Sequence, residues 1–249
     1  MIGLDIYGRQ VVFKATRRHS MEYQILAQLN SSHLRSNPRN HTIPVKFIPA
    51  DDFIFMVMPC WGTCWTWPGF DSTQSRLKAA TQLLEGLVFM HKNGVSHGDI
   101  QEGNVVWNHD EYRRRAPDGT TYQRTNFDFR MAYIDFGSST LFKPNQPPLI
   151  QTSKAPPVTL IAPELEKEGT WYDAFAADVY SLGMTLREEI QNALTGRARE
   201  SQIVADVARE TPQWYHQLLE TMIDSDPQGR PTAKKALTYI RHMAARISY

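Results

Sequence analysis

The hydrophobic period of this chain changes at residues 59–62, and that change constrains the fold more than any other feature. Before it, apolar residues come in short runs. Residues 10–15 read Gln-Val-Val-Phe-Lys-Ala, a β-rich run carrying Lys14. Val45-Lys46-Phe47-Ile48 and the run 53–58 (Phe-Ile-Phe-Met-Val-Met) are strand-like, separated by the turn signal Pro49-Ala50-Asp51-Asp52. Between these runs, Glu22, Ile25, Leu26 and Leu29 fall at i, i+3, i+4 and i+7, which places one carboxylate on the apolar face of a short helix, either as a surface acid at the edge of the stripe or as a group that reaches inward to pair with Lys14. Pro59 and Gly62 then break the pattern, and helical spacing dominates. The expectation is an α+β chain in two parts, residues 1–60 and residues 61–249.

In the second part, Leu77, Ala80, Leu84, Leu87, Val88 and His91 keep helical spacing, and Gly94 is a stop signal. Strands are expected at 105–107 and 131–134, flanking a polar insertion, residues 108–130, that carries Pro117-Asp118-Gly119. Val179, Leu182, Leu186 and Ile190 mark a further helix. Thr211-Pro212 and Pro231-Thr232 read as helix starts, with Ala236, Leu237 and Ile240 facing inward in the last helix.

The chemistry concentrates in one octapeptide, His97-Gly98-Asp99-Ile100-Gln101-Glu102-Gly103-Asn104. It has the H-x-D-x-x-x-x-N spacing of a phosphoryl-transfer loop. The Asp can accept a proton from an attacking hydroxyl, and the Asn can hold a magnesium ion that bridges phosphates. Four signals follow in order: Asp135-Phe136-Gly137, Ala162-Pro163-Glu164, the helix opening at Asp178, and residues 226–233, which contain Arg230. Together these motifs resemble the eukaryotic protein kinase family over residues 10–245, each in its expected local context.

The resemblance implies a bilobal fold: a truncated β-rich N-lobe with hinge (1–60), and a C-lobe (61–249) bearing the catalytic loop, the insertion and an activation segment at 135–164. It implies ATP and Mg2+ as cofactors. Asp99 would orient the acceptor hydroxyl, and Asn104 and Asp135 would hold metal. Lys14 would hold the nucleotide phosphates with Glu22 steadying its amine, and Gln101 would lie beside the transferred group. Met58, Pro59 and Trp61 would form the adenine-facing hinge: Met58 as gatekeeper, Pro59 offering only its carbonyl, Trp61 its N–H. His97, Glu164, Asp178 and Arg230 would be structural, with Glu164 and Arg230 a buried ion pair.

The chain departs from the family pattern at three places. No Gly-x-Gly-x-x-Gly stands upstream of Lys14, and Ile2 to Gly8 supply at most part of one strand. Gly98 replaces the Arg that reads a phosphate on the activation segment, so control by phosphorylation there is not expected. His97-Gly98-Asp99 is also similar to small-molecule phosphotransferases. Gln101 replaces a Lys, and an amide donates a hydrogen bond without neutralising charge. Pro157 stands where Thr is usual, in a run, Pro157-Val158-Thr159-Leu160, that is faintly similar to tyrosine kinases.

Bulk properties narrow the partners. A net charge of +1 offers no field for nucleic acid or membrane surfaces, and Arg113-Arg114-Arg115 reads as a solvated loop. Cys60 and Cys64 are too few for a disulfide scaffold or a zinc site. No signal peptide or membrane span is visible, so a cytoplasmic or nuclear setting is expected, with a protein substrate or regulatory partner. Three functional readings result: a protein Ser/Thr kinase, a pseudokinase acting as a binding or regulatory module, and a small-molecule phosphotransferase.

Overall fold

The computed structural model describes residues 1–6, 8–62, 70–108, 113–115, 121–123, 129–152, 162–195 and 202–247. It opens with a four-stranded antiparallel sheet of β1 (Ile2–Leu4), β2 (Gln10–Arg17), β3 (Lys46–Ala50) and β4 (Phe53–Pro59), in the order β1-β2-β4-β3. Alternation along β4 separates its faces. Ile54 and Met56 are 3% and 0% exposed, while Phe53 and Phe55 are 49% and 42% exposed. The buried face packs on α1 (Met21–Leu29), through Ile25, Leu26 and Leu29. Ser20 caps that helix, its hydroxyl accepting from the Tyr23 N–H at 3.2 Å. Glu22 is buried on the same face.

The turn between β3 and β4 is shorter than the sequence signal suggested. Pro49 and Ala50 belong to β3, and only Asp51 and Asp52 form the turn. β3 is an edge strand, the one sheet position where a residue without an N–H can pair on one side at no cost to a second neighbour.

The short α2 (Ser32–Arg35) precedes β3, and after β4 comes α3 (Thr73–Lys92), the central helix of the second part. Ser72 caps it, and Leu77, Ala80, Leu84 and Leu87 are buried, whereas Val88 and His91 are half-buried. Gly94 ends this helical stretch with φ +74, and an added Cβ would sit 2.6 Å from the Phe142 carbonyl oxygen. Glycine is therefore required both for its backbone angle and for close approach.

Short paired strands follow. β5 (Val95–Ser96) precedes the 97–104 loop, and β6 (Val105–Trp107) leaves it. β7 (Arg113–Arg115) pairs with β8 (Thr121–Gln123) as a hairpin within the insertion, while Pro117-Asp118-Gly119 lies outside the described residues. β9 (Met131–Tyr133) pairs with β6, β10 (Thr140–Leu141) with β5, and β11 (Leu149–Gln151) with β12 (Trp171–Asp173). Among the described residues four α-helices follow: α4 (Ala174–Thr195), α5 (Gln202–Arg209), α6 (Gln213–Met222) and α7 (Ala233–Ala244). Thr232 caps α7 as expected, accepting from the Lys235 N–H at 3.3 Å. Among the described residues no helix is long and apolar enough to cross a membrane.

Thr211 does not cap α6 as its place before Pro212 suggested, because Pro212 itself occupies the cap position. Its hydroxyl instead accepts from Arg76 Nη1 at 2.9 Å. Arg76, on α3, forms a two-pronged pair with Glu189 of α4 at 2.8 and 3.1 Å, and also donates to the Val207 carbonyl at 2.9 Å. Both side chains are 1% exposed. This pair joins three helices inside the core, and removing one partner strands a buried charge. Arg76→Ala should lower unfolding stability by about 3–5 kcal/mol in a urea titration, and Arg76→Met combined with Glu189→Leu should recover most of that loss.

Candidate active site

The octapeptide loop is held from behind by a single buried carboxylate. Asp178 on α4 is 2% exposed; its Oδ2 accepts from the His97 N–H at 2.8 Å, and its Oδ1 from the Gly98 N–H at 2.9 Å. The same Oδ2 meets His91 Nε2 at 3.0 Å. His97 is buried between the rings of Tyr133 and Phe136. Burial pushes its imidazole below the usual range, and its partners then assign the neutral tautomer. Nε2–H donates to the Ile134 carbonyl at 3.0 Å, and Nδ1 accepts from the Asp99 N–H at 3.3 Å.

That histidine places the loop against the strand leading to Asp135. Ile134 bonds the loop twice, through its carbonyl to His97 and through its N–H to the Asn104 carbonyl at 3.0 Å. Asn104 and Asp135 thereby flank one residue. Asn104 Nδ2 donates to Asp99 Oδ2 at 2.7 Å and to the Asp99 carbonyl at 2.9 Å. Gln101 Nε2 approaches both Asp99 oxygens at 3.1 and 3.3 Å. The Asp99 carboxylate is thus fixed by two amides before any acceptor arrives.

Asp135 has a left-handed backbone, φ 58 and ψ 79, an angle rarely adopted outside glycine and frequent at working sites. Its side chain accepts from the Gly137 N–H at 3.3 Å and from Lys14 Nζ at 2.6 Å. Lys14 on β2 also reaches Glu22 at 2.6 Å, so the carboxylate read from the α1 stripe does turn inward to the lysine. Burial alone would lower the Lys14 ammonium. Hydrogen bonds and charge from Asp135 and Glu22 more than offset it and hold it above its ordinary value. Burial likewise tends to raise Asp135, but Lys14, followed by the Gly137 N–H, holds its carboxyl below the usual range.

The segment joining the two parts is tied at both ends. Cys60 N–H donates to the Gln10 carbonyl at 3.1 Å, and Gly62 exchanges two hydrogen bonds with Trp107 at 2.9 and 3.0 Å. Trp61 lies between, packed with Met58 on a small cluster of Ile43, Val106 and Ala132. Pro59 ends β4 opposite Val11. Among the described residues nothing accepts from the Trp61 N–H. Far from this segment, Arg230 and Glu164 form a two-pronged pair, both contacts at 2.7 Å. Arg230 also donates to the Asp224 and Ala176 carbonyls and covers the Tyr180 ring.

A family model described as "Protein kinase domain" matches residues 11–240. The chain belongs to the protein kinase family. Serine/threonine-protein kinase 10 of Xenopus tropicalis is 27% identical over 169 residues, covering 64% of this chain and 16% of the relative. A putative serine/threonine-protein kinase of Acanthamoeba polyphaga mimivirus is 25% identical over 171 residues, covering 65% of this chain and 54% of the relative. U-box domain-containing protein 33 of Arabidopsis thaliana is 28% identical over 129 residues, covering 51% of this chain and 13% of the relative. The kinase chain therefore spans from about one eighth to about half of the length of these relatives.

The oxygen donors of this kinase suit a hard divalent cation. Asn104 uses its amide nitrogen on Asp99, which leaves its carbonyl oxygen for a cation, and the half-exposed Asp135 carboxylate lies across Ile134 from it. Among the described residues no group of three or more His, Cys, Asp and Glu side chains could hold a metal by itself. Pro157 to Leu160, part of the expected activation segment, and Cys64 lie outside the described residues.

His91 was missed as a site residue because its spacing made it one more position on the α3 apolar stripe. The signal was present: a polar ring on that stripe needs a buried partner, and Asp178 supplies it. Gly98 also has a local reason to be glycine. Its φ is +77, and an added Cβ would sit 2.5 Å from the Ser138 carbonyl oxygen. Gly98→Ala should destabilise the fold by at least about 1–2 kcal/mol from the backbone angle alone, measured by urea unfolding.

The Lys14–Asp135 contact carries a pH signature. Asp135 titrates lower in the folded chain than in the unfolded one, so its contribution is fully present above the ordinary value of 3.8 and is lost as pH falls through the folded value below it. Asp135→Asn should flatten the acid limb of the stability–pH curve below about pH 4 and leave the curve near neutrality parallel to that of the parent chain.

Proposed function

We propose that this kinase transfers the γ-phosphate of ATP, with Mg2+, to a Ser or Thr hydroxyl of a protein. The observation that carries the reading is the convergence on Ile134: His97 and Asn104 both bond it, bringing the Asp99 carboxylate and the Asn104 amide alongside Asp135. Asn104 and Asp135 would hold Mg2+, and the charge neutralisation it supplies would fall on the phosphates. Asp99 would accept the hydrogen bond of the incoming hydroxyl and aim its oxygen. Asn104 and Gln101 would keep that carboxylate in one orientation. Lys14 would exchange part of its contact with Asp135 for phosphate oxygens while Glu22 holds its amine in place. The cluster of Ile43, Val106 and Ala132 would lie beneath a flat base, and the Trp61 N–H and Pro59 carbonyl would be its polar anchors.

The Ser/Thr class is supported by the printed names of two relatives. A protein acceptor, as against a small molecule, is supported by the buried Glu164–Arg230 pair, which fixes the register of the segment that would receive a peptide. One observation favours a second reading, a nucleotide-binding regulatory module: Gln101, which carries no charge, stands at the Asp99 carboxylate where a Lys is usual.

Labelled ATP with Mg2+ and a generic protein acceptor separates the two. The parent chain should transfer label, and Asp99→Asn should reduce transfer by at least about a hundredfold. Saturating Mg-ATP, at about a hundred times Kd, should stabilise both by about 2.7 kcal/mol in a thermal melt. Stabilisation without transfer by the parent chain would replace the enzyme reading with the regulatory one.

A further inference from the structure

A groove of about 750 Å³ lies between α3, α4 and α7, on the far side of Asp178 from the 97–104 loop. Its floor is apolar, built from Val88, Phe175, Val179 and Leu237. Its rim is cationic: Arg39, Lys92, Lys234 and Arg241 all border it. Among the described residues Arg39, Lys92 and Lys234 have no carboxylate partner, and all three are exposed; Arg241 meets Glu85. The acidic residue on the rim, Asp173, is already engaged, its carboxylate accepting from the Phe175 and Ala176 N–H groups at 2.8 and 3.1 Å. Arg230 also borders the groove, but Glu164 neutralises it.

This concentration of positive charge stands out in a chain whose net charge is +1. The cations also do not converge on one point. Lys92 ends α3, Arg39 lies in the segment before β3, and Lys234 and Arg241 stand two turns apart on α7, roughly 10 Å along its axis. A single phosphate could not meet both Lys234 and Arg241. A peptide carrying several carboxylates between apolar side chains would meet the spaced cations and fill the floor together.

We propose that this groove is a docking site for an acidic, apolar-containing segment of a partner protein. The site is separate from the phosphoryl-transfer residues, and its occupation requires neither nucleotide nor turnover. His91 also lines the groove and hydrogen-bonds Asp178, so an occupant rests one residue behind the carboxylate that holds the octapeptide loop.

The probe is a fluorescein-labelled synthetic peptide in which Glu alternates with Leu and Phe, titrated with the full chain and read by fluorescence anisotropy. Saturable binding is expected, weakening as salt is raised. Lys92→Glu combined with Lys234→Glu should weaken it at least about tenfold, as should Gln in place of Glu in the peptide. Lys46→Glu combined with Arg17→Glu, on the exposed strands of the sheet, should leave it unchanged. Thermal melts check that each variant folds, and Lys92→Ala with Lys234→Ala substitutes should the reversal not fold. Absence of binding, equal binding by the groove variant, or equal loss with the sheet variant overturns the proposal. So does a single-stranded RNA homopolymer that displaces the peptide and binds the groove more tightly.

Discussion

Asp178, itself 2% exposed, holds three donors: two consecutive backbone N–H groups of the octapeptide loop and the ring of His91. Buried carboxylates are costly unless every oxygen is engaged, and here both are. The His97 and Gly98 N–H groups both find their acceptor in this one carboxylate. The chain of consequence runs outward from there. Fixed at its back, the loop presents His97 to Ile134, Ile134 positions Asp135, and Asp135 meets Lys14 across the cleft. A contact 121 residues apart in sequence therefore rests on one helix-borne acid.

Ionic groups serve different ends in the two halves of the molecule. Arg76–Glu189 and Arg230–Glu164 have arginine forks filled by two carboxylate oxygens and by backbone carbonyls, an arrangement that fixes geometry. Lys14 is the opposite case. It is a half-exposed point charge shared between two carboxylates, and one of them can release it without leaving it unpaired. The first kind of pair sets the register of helices. The second is suited to exchange.

Periodicity made most of the fold legible. The α1 stripe put Glu22 on the buried face with Ile25, Leu26 and Leu29, and β2 brought Lys14 to it. The octapeptide pattern put Asp99 and Asn104 in one loop, where the Asn104 amide donates to the Asp99 carboxylate at 2.7 Å. What could not be read depended on the third dimension. Thr211 looked like a cap because sequence shows only its neighbour Pro212, while its real partner, Arg76, is 135 residues away. Pro49 looked like a turn residue because proline usually is one, and only the strand order shows that β3 has an unpaired side. The inward role of His91 was hidden for the same reason: helical spacing reports a face, not what that face meets.

The proline in β3 has a consequence for the solubility of the sheet. Phe53, Phe55 and Ile48 stand exposed beside it, an apolar strip that would invite a second chain to add its own strand along the open edge. Pro49 denies such a strand a backbone donor at mid-edge. The opposite edge, β1, offers only three residues, too short a template for stable pairing. The sheet thus keeps its aromatic face exposed while both of its edges resist growth into fibrous assemblies.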